Sequence, residues 1–206
     1  MSEQLILGSI QGITEWLPVS SEGILTLVQT NFFQSQNLTQ AIAQALFLHL
    51  GTFLAALVYF RKEILNLPKK PKLIKFFTLT TLISGILGFG ILKTIEGIES
   101  QFLLTGKAIT LITGLLLIIT GFLQLKSKNR GKREDKDLTT KDGLILGITQ
   151  GLAILPGLSR SGSTVAIFLL LGFAKTESLK LSFLMSLPLV LLGNIILNFQ
   201  YFSQGM

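Results

Sequence analysis

At 206 residues, 49% of them hydrophobic and only 14% charged, with a mean hydropathy of +0.61, the chain departs from a soluble domain, which carries about 25% charge. It has no cysteine and one histidine, His49, which excludes disulfides, thiolate metal sites and most histidine-based zinc or haem centres. The net charge of +7 sits between apolar runs, the pattern of membrane topology and not of a nucleic-acid groove, so no nucleic-acid partner is expected.

In chain order, the N-terminus shows neither a Lys/Arg-rich region nor a small-residue cleavage site, and no cleaved signal peptide is expected. The apolar segment 4–33 breaks midway at Glu15-Trp16-Leu17-Pro18-Val19-Ser20-Ser21-Glu22-Gly23. A first full span follows near 40–60. His49 lies within it close to Gly51, and a lone histidine among small residues reads as a packing residue. Arg61, Lys62, Lys69, Lys70, Lys72 and Lys75 crowd the next connection. Spans near 73–93 and 104–125 flank a connection at 94–103 that carries Glu96 and Glu99. A second basic loop covers 126–141. Segment 143–173 breaks at Leu155-Pro156-Gly157-Leu158-Ser159-Arg160-Ser161-Gly162-Ser163-Thr164. Lys175 and Glu177 read as interfacial, and a last span runs near 177–201. Each full span has the roughly 20 apolar residues that cross about 30 Å of hydrocarbon.

The halves of the two broken segments are too short to span. Non-helical backbone at membrane depth needs protein or a wet cavity around it. The predicted fold is therefore an all-α polytopic membrane protein with about four full transmembrane helices and two re-entrant helical hairpins, forming a single membrane domain over 1–206. The simpler alternative is two ordinary spans kinked at Pro18 and Pro156. The two basic loops, separated by two spans, fall on one side, which the positive-inside rule makes cytoplasmic. The first hairpin then enters from outside and the second from the cytoplasm.

An internal repeat supports this layout. Residues 5–12, Leu-Ile-Leu-Gly-Ser-Ile-Gln-Gly, match residues 144–151, Leu-Ile-Leu-Gly-Ile-Thr-Gln-Gly, at six of eight positions. Leu17-Pro18 pairs with Leu155-Pro156, each followed by a Ser/Gly cluster. The first unit, 1–125, holds a hairpin and three crossings, so the second, 142–206, starts inverted. Such inverted repeats place substrate groups at broken helices near the midplane. Counterparts of spans 73–93 and 104–125 are missing from the second unit, which is expected to be truncated. A second copy, as a homodimer, is the candidate to fill the gap.

Ionisable groups inside a membrane segment are functional candidates by default. Arg160 offers a planar fork of donors suited to phosphate oxygens; its bland alternative is a structural pair with a glutamate of the other hairpin. Ser159, Ser161 and Thr164 add hydroxyls around it, and Gly157 and Gly162 let backbone amides approach an anion. Glu15, four residues after Gln11 and on its helical face, suits a general base. Ser20 and Ser21 are candidate nucleophiles or phosphate donors, or caps of the helix that follows. Glu22 reads as a first-turn dipole residue, and Trp16 as a stacking or interfacial aromatic. No ligand cluster demands a metal.

The strings Glu15-Trp16-Leu17-Pro18-Val19-Ser20-Ser21-x-Gly23 and Pro156-Gly157-x-Ser159-Arg160-Ser161-Gly162-x-Thr164 resemble the two signatures of the integral-membrane undecaprenyl-diphosphate phosphatases of the bacitracin-resistance type, distinct from PAP2 phosphatases. The resemblance covers nearly the whole chain. It implies hydrolysis of undecaprenyl (polyprenyl) diphosphate to the monophosphate, recycling the lipid carrier for peptidoglycan and other cell-envelope polymers. It also implies two re-entrant hairpins and a site in the plasma membrane. By resemblance, Glu15, Ser21 and Arg160 are catalytic, and Gln11, Ser20, Ser159, Ser161, Gly162 and Thr164 bind substrate. Mg²⁺ or Ca²⁺ is a candidate bridging ion on the diphosphate. Two departures stand out: Gln11 where the family often has Glu, and Ile24 where it usually has His. The rival class is a non-hydrolytic polyprenyl-phosphate transporter or flippase.

Overall fold

The computed structural model describes residues 2–33, 38–101, 106–127 and 131–203. It is all-helical, and among the described residues the one β-feature is an isolated parallel bridge between Arg133 and Phe173. The elements are α1 (Ser2–Thr14), α2 (Ser21–Asn31), α3 (Leu38–Tyr59), α4 (Arg61–Asn66), α5 (Pro71–Gln101), α6 (Gly106–Lys126), α7 (Thr140–Leu152), α8 (Arg160–Leu170) and α9 (Lys175–Ser203). Short 3-10 turns at Leu67–Lys69 and Asp135–Asp137 complete them.

Four helices are long and apolar enough to cross a membrane: Leu38–Tyr59, Pro71–Ile98, Gly106–Lys126 and Lys175–Ile196. They fall where the four spans were expected. Helix α1 has 13 residues, α2 11, α7 13 and α8 11. At 1.5 Å per residue these reach only about 16–20 Å, short of the hydrocarbon thickness. One boundary differs from expectation. The connection predicted at 94–103 is helical through Gln101, because Lys93 and Glu96 pair one turn apart and let the helix continue past the apolar run. The remainder of that connection, 102–105, lies outside the described residues.

The repeat is visible in the order of elements. Helices α1, α2 and α3 are matched by α7, α8 and α9, with a tight turn inside each hairpin. Helix α7 packs on α5 through a glycine stripe. A Cβ on Gly143, Gly147 or Gly151 would stand 2.9, 2.9 and 3.0 Å from side-chain atoms of Leu79, Ile83 and Leu87 respectively. Small residues at this four-residue spacing let helix backbones approach closely, the usual basis of tight packing between membrane helices. Phe76, Leu146, Phe168, Phe173, Leu181 and Met185 then join α5, α7, α8 and α9 in one core.

One arginine closes the open end of the second hairpin. Arg133 Nη2 donates to Asp142 Oδ2 (2.6 Å) and Asp137 O (2.7 Å), and Nη1 donates to Leu171 O (2.8 Å). Its backbone N–H donates to Gly172 O, and its carbonyl accepts from Ala174 N–H, both at 3.0 Å. Asp142 also completes a capping box with Thr139 at the start of α7. A residue of the basic loop, read from sequence as a topology signal, thus ties both ends of α7–α8 together.

A Gly147→Val substitution should force α7 away from α5 and destabilise the protein by about 1–3 kcal/mol, the usual range for overpacking. A detergent-solubilised thermal melt checks this. An unchanged midpoint would show that the stripe does not set the helix spacing.

Candidate active site

Each hairpin turn ends in the same local device. Ser20 caps α2, its Oγ accepting from Gly23 N–H (3.2 Å), and Ser159 caps α8, its Oγ accepting from Gly162 N–H (3.0 Å). Capping by a serine oxygen satisfies a first-turn donor that the helix cannot. Ser20 achieves it from a left-handed conformation, φ 61°, which costs a non-glycine residue about 1–3 kcal/mol and persists only where the surroundings enforce it. The residue after each cap opens its helix: Ser21 in α2 and Arg160 in α8. The repeat therefore places the candidate nucleophile and the candidate phosphate clamp at equivalent positions.

Helix α6 holds both turns. Gln124 Nε2 donates to Pro18 O (2.8 Å). Thr120 Oγ1, one helical turn earlier, donates to Gly157 O (3.0 Å) and accepts from Ser159 N–H (3.2 Å). Gly157 has φ 106°, and a Cβ there would lie 2.4 Å from Thr113 O, so only glycine fits. The turns also meet directly, since a Cβ on Gly23 would be 3.0 Å from Gly157 N.

The hairpins converge on one carboxylate. Glu15, only 6% exposed, receives Arg160 Nη2 on Oε1. Its Oε2 is 2.7 Å from Ser21 Oγ, 3.0 Å from Gln11 Nε2 and 3.1 Å from His49 Nε2. The structural pairing of Arg160 with a glutamate is thus real, yet it uses one arm of the guanidinium. Arg160 Nη1 is buried and has no partner, as are Oε1 of Glu22 and Oε1 of Gln150. An unpartnered buried donor costs about 1–3 kcal/mol, more when charged, and marks a place where a ligand atom or water belongs.

These groups face a cavity. Its polar end is formed by Glu15, Ser20, Ser21, Glu22, His49 and Arg160, with Ser159 and Ser161 beside them. Much of the remaining lining is apolar, including Phe89, Leu92, Ile154, Leu189 and Ile196. A smaller adjoining pocket is bordered by Trp16, whose ring lies 5.4 Å from that of Phe183.

Three residues expected to touch substrate do not line this cavity. Gln11 is spent on Glu15, which it orients. Gly162 gives its amide to the Ser159 cap. Thr164 bonds the Arg160 carbonyl (2.7 Å) and Ser182 Oγ (2.6 Å), packing α8 against α9. Conversely, His49 is not the isolated packing residue its neighbours suggested, because α3 aims its ring at Glu15. Its position as an ionisable side chain midway along a full span was the available signal. Gln150 and Ser84, joined at 3.2 Å, also line the cavity. The repeat pairs Gln150 with Gln11, whereas nothing in the sequence singles out Ser84.

Four spanning helices around a buried polar centre make this a multi-pass integral membrane protein. A family model described as bacitracin resistance protein BacA matches residues 4–205, and the chain belongs to that family. It is 38% identical to an undecaprenyl-diphosphatase of Methanococcoides burtonii, across 95% of this chain and 77% of the relative. It is 40% identical to one of Methanothrix thermoacetophila, over 92% of this chain and 72% of the relative. A third, from Haloarcula marismortui, is 37% identical over 93% and 74%.

Replacing Thr120 with Val keeps its shape but leaves Gly157 O and Ser159 N–H unpaired. The expected cost is about 1–3 kcal/mol of stability, with the second turn loosened. Faster proteolysis at 153–159 would report it, and protection equal to the unmodified protein would deny the latch.

Proposed function

We propose that the protein hydrolyses undecaprenyl diphosphate, or a similar polyprenyl diphosphate, to the monophosphate and inorganic phosphate. The observation that carries this reading is the nucleophile–base–clamp arrangement at Glu15: a serine hydroxyl at 2.7 Å and an arginine with one arm free beside the same cavity. The names of the relatives point to the same chemistry. The non-hydrolytic transporter reading assigns no role to the hydroxyl that Ser21 holds against Glu15.

In this mechanism the free Nη1 of Arg160 and the first-turn N–H groups of α2 and α8 take the terminal phosphate, with Ser20, Ser159 and Ser161 at its edge. Positive helix ends favour the anion. Ser21 Oγ, or a water held by it, attacks the terminal phosphorus, and its proton passes to Glu15 Oε2; where Ser21 attacks, water then cleaves the phosphoserine, releasing inorganic phosphate and restoring the hydroxyl. The bond from that phosphorus to the bridging oxygen breaks, and its electrons leave with the lipid monophosphate. Arg160 neutralises charge on the phosphoryl oxygens as this happens. The apolar part of the cavity lining holds the first units of the polyprenyl chain. Both oxygens of Glu15 are already engaged by protein donors, and among the described residues no three His, Asp or Glu side chains group to hold a metal ion. No step is therefore routed through Mg²⁺ or Ca²⁺.

The membrane arrangement belongs to the same proposal. The two short hairpins dip into the bilayer from opposite faces as an inverted pair, within one domain spanning 1–206, and the basic connections lie on the cytoplasmic side of the plasma membrane. Support comes from the repeat, the helix lengths and the meeting of the two turns.

Arg160→Ala should lower phosphate release from a detergent-solubilised polyprenyl diphosphate by at least about 100-fold, as for loss of a transition-state donor. Turnover within a few fold of the unmodified protein would reject the clamp. No release by the unmodified protein would reject hydrolysis itself.

A further inference from the structure

The role of Glu15 requires that it be ionised and correctly aimed inside a low-dielectric site, where an isolated carboxylate would prefer its neutral form. The structure supplies two partners for that charge. Arg160 holds Oε1. The other partner is on α3.

His49 is 7% exposed, and its ring is fixed at both nitrogens. Nδ1 lies 2.7 Å from Ala45 O. A carbonyl only accepts, so Nδ1 carries a hydrogen. Nε2 lies 3.1 Å from Glu15 Oε2. Two lone pairs do not face each other at that distance, so a proton lies between them. Glu15 takes further donors from Gln11, Ser21 and Arg160, and this company places the negative charge on the carboxylate. The proton then belongs to the ring, which is an imidazolium.

We infer that His49 is a positioning residue for the hydrolytic reaction, an imidazolium that keeps Glu15 ionised and fixes the orientation in which it receives the proton of Ser21 or water. The inference rests on the hydrolytic reading of the site. His49 exchanges no proton in the step. The hydroxyl proton goes to Glu15 Oε2, and the oxygen–phosphorus bond forms as the bridging bond breaks. Other charged groups sharing the cavity with the ring are Glu22 from α2 and Arg160 from α8. From α9 and α5 come Ser186, Val190, Ser84 and Phe89, which do not titrate. Once the ring loses its Nε2 hydrogen at high pH, its lone pair faces Oε2 and the alignment is lost. His49 therefore sets the alkaline limb of the rate profile. Ile24, in the first turns of α2, does not line the cavity, and the ring enters instead from α3.

Two variants separate charge from shape. His49→Gln keeps an N–H donor that does not titrate, and His49→Leu keeps bulk without a donor. His49→Leu should lose about 10²-fold or more in kcat, the scale of general acid–base assistance, with KM little changed. His49→Gln should recover a large part of that loss while lacking the alkaline limb. Unmodified kcat in the Leu variant, or an intact alkaline limb in the Gln variant, overturns the inference. A second measurement needs no turnover. The chain has one histidine, so ¹⁵N-histidine NMR in detergent reports His49 without assignment. Both ring nitrogens should carry a hydrogen at pH 7, and Glu15→Gln should move the Nε2 resonance while Nδ1, held by Ala45 O, stays in place. A ring with one bare nitrogen at pH 7, or an Nε2 resonance indifferent to Glu15→Gln, overturns the inference. Should the unmodified protein release no phosphate, the hydrolytic reading fails, and with it the positioning role, whatever the ring's resonances show about the pair.

Discussion

The whole arrangement turns on one buried negative charge. Glu15 is removed from water, and an ion in that situation is tolerated only when paired and hydrogen-bonded. Its partners come from four elements: Gln11 from α1, Ser21 from α2, His49 from α3 and Arg160 from α8. None is close enough in sequence to guarantee the others. The cost of leaving a buried charge uncompensated, about 3–5 kcal/mol when one partner is removed, therefore acts as a restraint on tertiary structure. It draws the tip of each hairpin toward the other and α3 toward both.

Such a restraint works only if the turns are already close to position, and α6 provides that ruler. Thr120 and Gln124 occupy the same face one turn apart, and between them they hold the second and first turns. The glycine stripe of α7 fixes the second hairpin against α5, while Arg133 locks its far end. Rigid elements of this kind keep reacting groups within the small tolerances that catalysis demands. The repeat then does something economical with the backbone. One serine cap followed by a helix start occurs twice, and the first residue of the helix supplies a hydroxyl in one copy and a guanidinium in the other. Two helix N-termini consequently point at one place.

Much of this was legible in the sequence because membrane segments make polarity conspicuous. Glu15 and Arg160 stood out as charges within apolar runs, and the repeated Gln-Gly and Leu-Pro strings marked the two hairpins. The spans followed from length and composition. What could not be read was which polar side chains would be consumed locally. Thr164 carries the same hydroxyl as Ser161, but its place on α8 turns it toward Ser182, and only the packing of α9 reveals that. Gln11 and Gly162, expected to bind substrate, serve Glu15 and the Ser159 cap and do not line the cavity. His49 failed in the opposite direction. Its sequence neighbours are small and apolar, and its decisive contact is with a residue of another helix. Helix α5 runs beyond the apolar span that composition marks, and Lys93 and Glu96 pair along that extension.

The cavity's polarity also fixes how an amphiphile must enter. With Glu15 balanced by Arg160 and His49, the fixed charge left for a ligand is the second arm of Arg160, supported by the helix starts. That end of the cavity favours an anion. Glu22 sits among these donors with one oxygen unpartnered, and a carboxylate there repels any fully ionised oxygen placed against it. A phosphate headgroup satisfies both demands by turning its ionised oxygens to Arg160 and a protonated oxygen, or an intervening water, to Glu22. Against Phe89, Leu92, Leu189 and Ile196, which offer no hydrogen-bonding side chain, a polar group loses its water without compensation, whereas an apolar chain gains about 25 cal/mol for each Å² it buries. Reversing the molecule would forfeit both terms. On the proposed hydrolytic reading, a polyprenyl diphosphate would therefore sit with its head at Arg160 and its chain against the apolar side chains of α5 and α9.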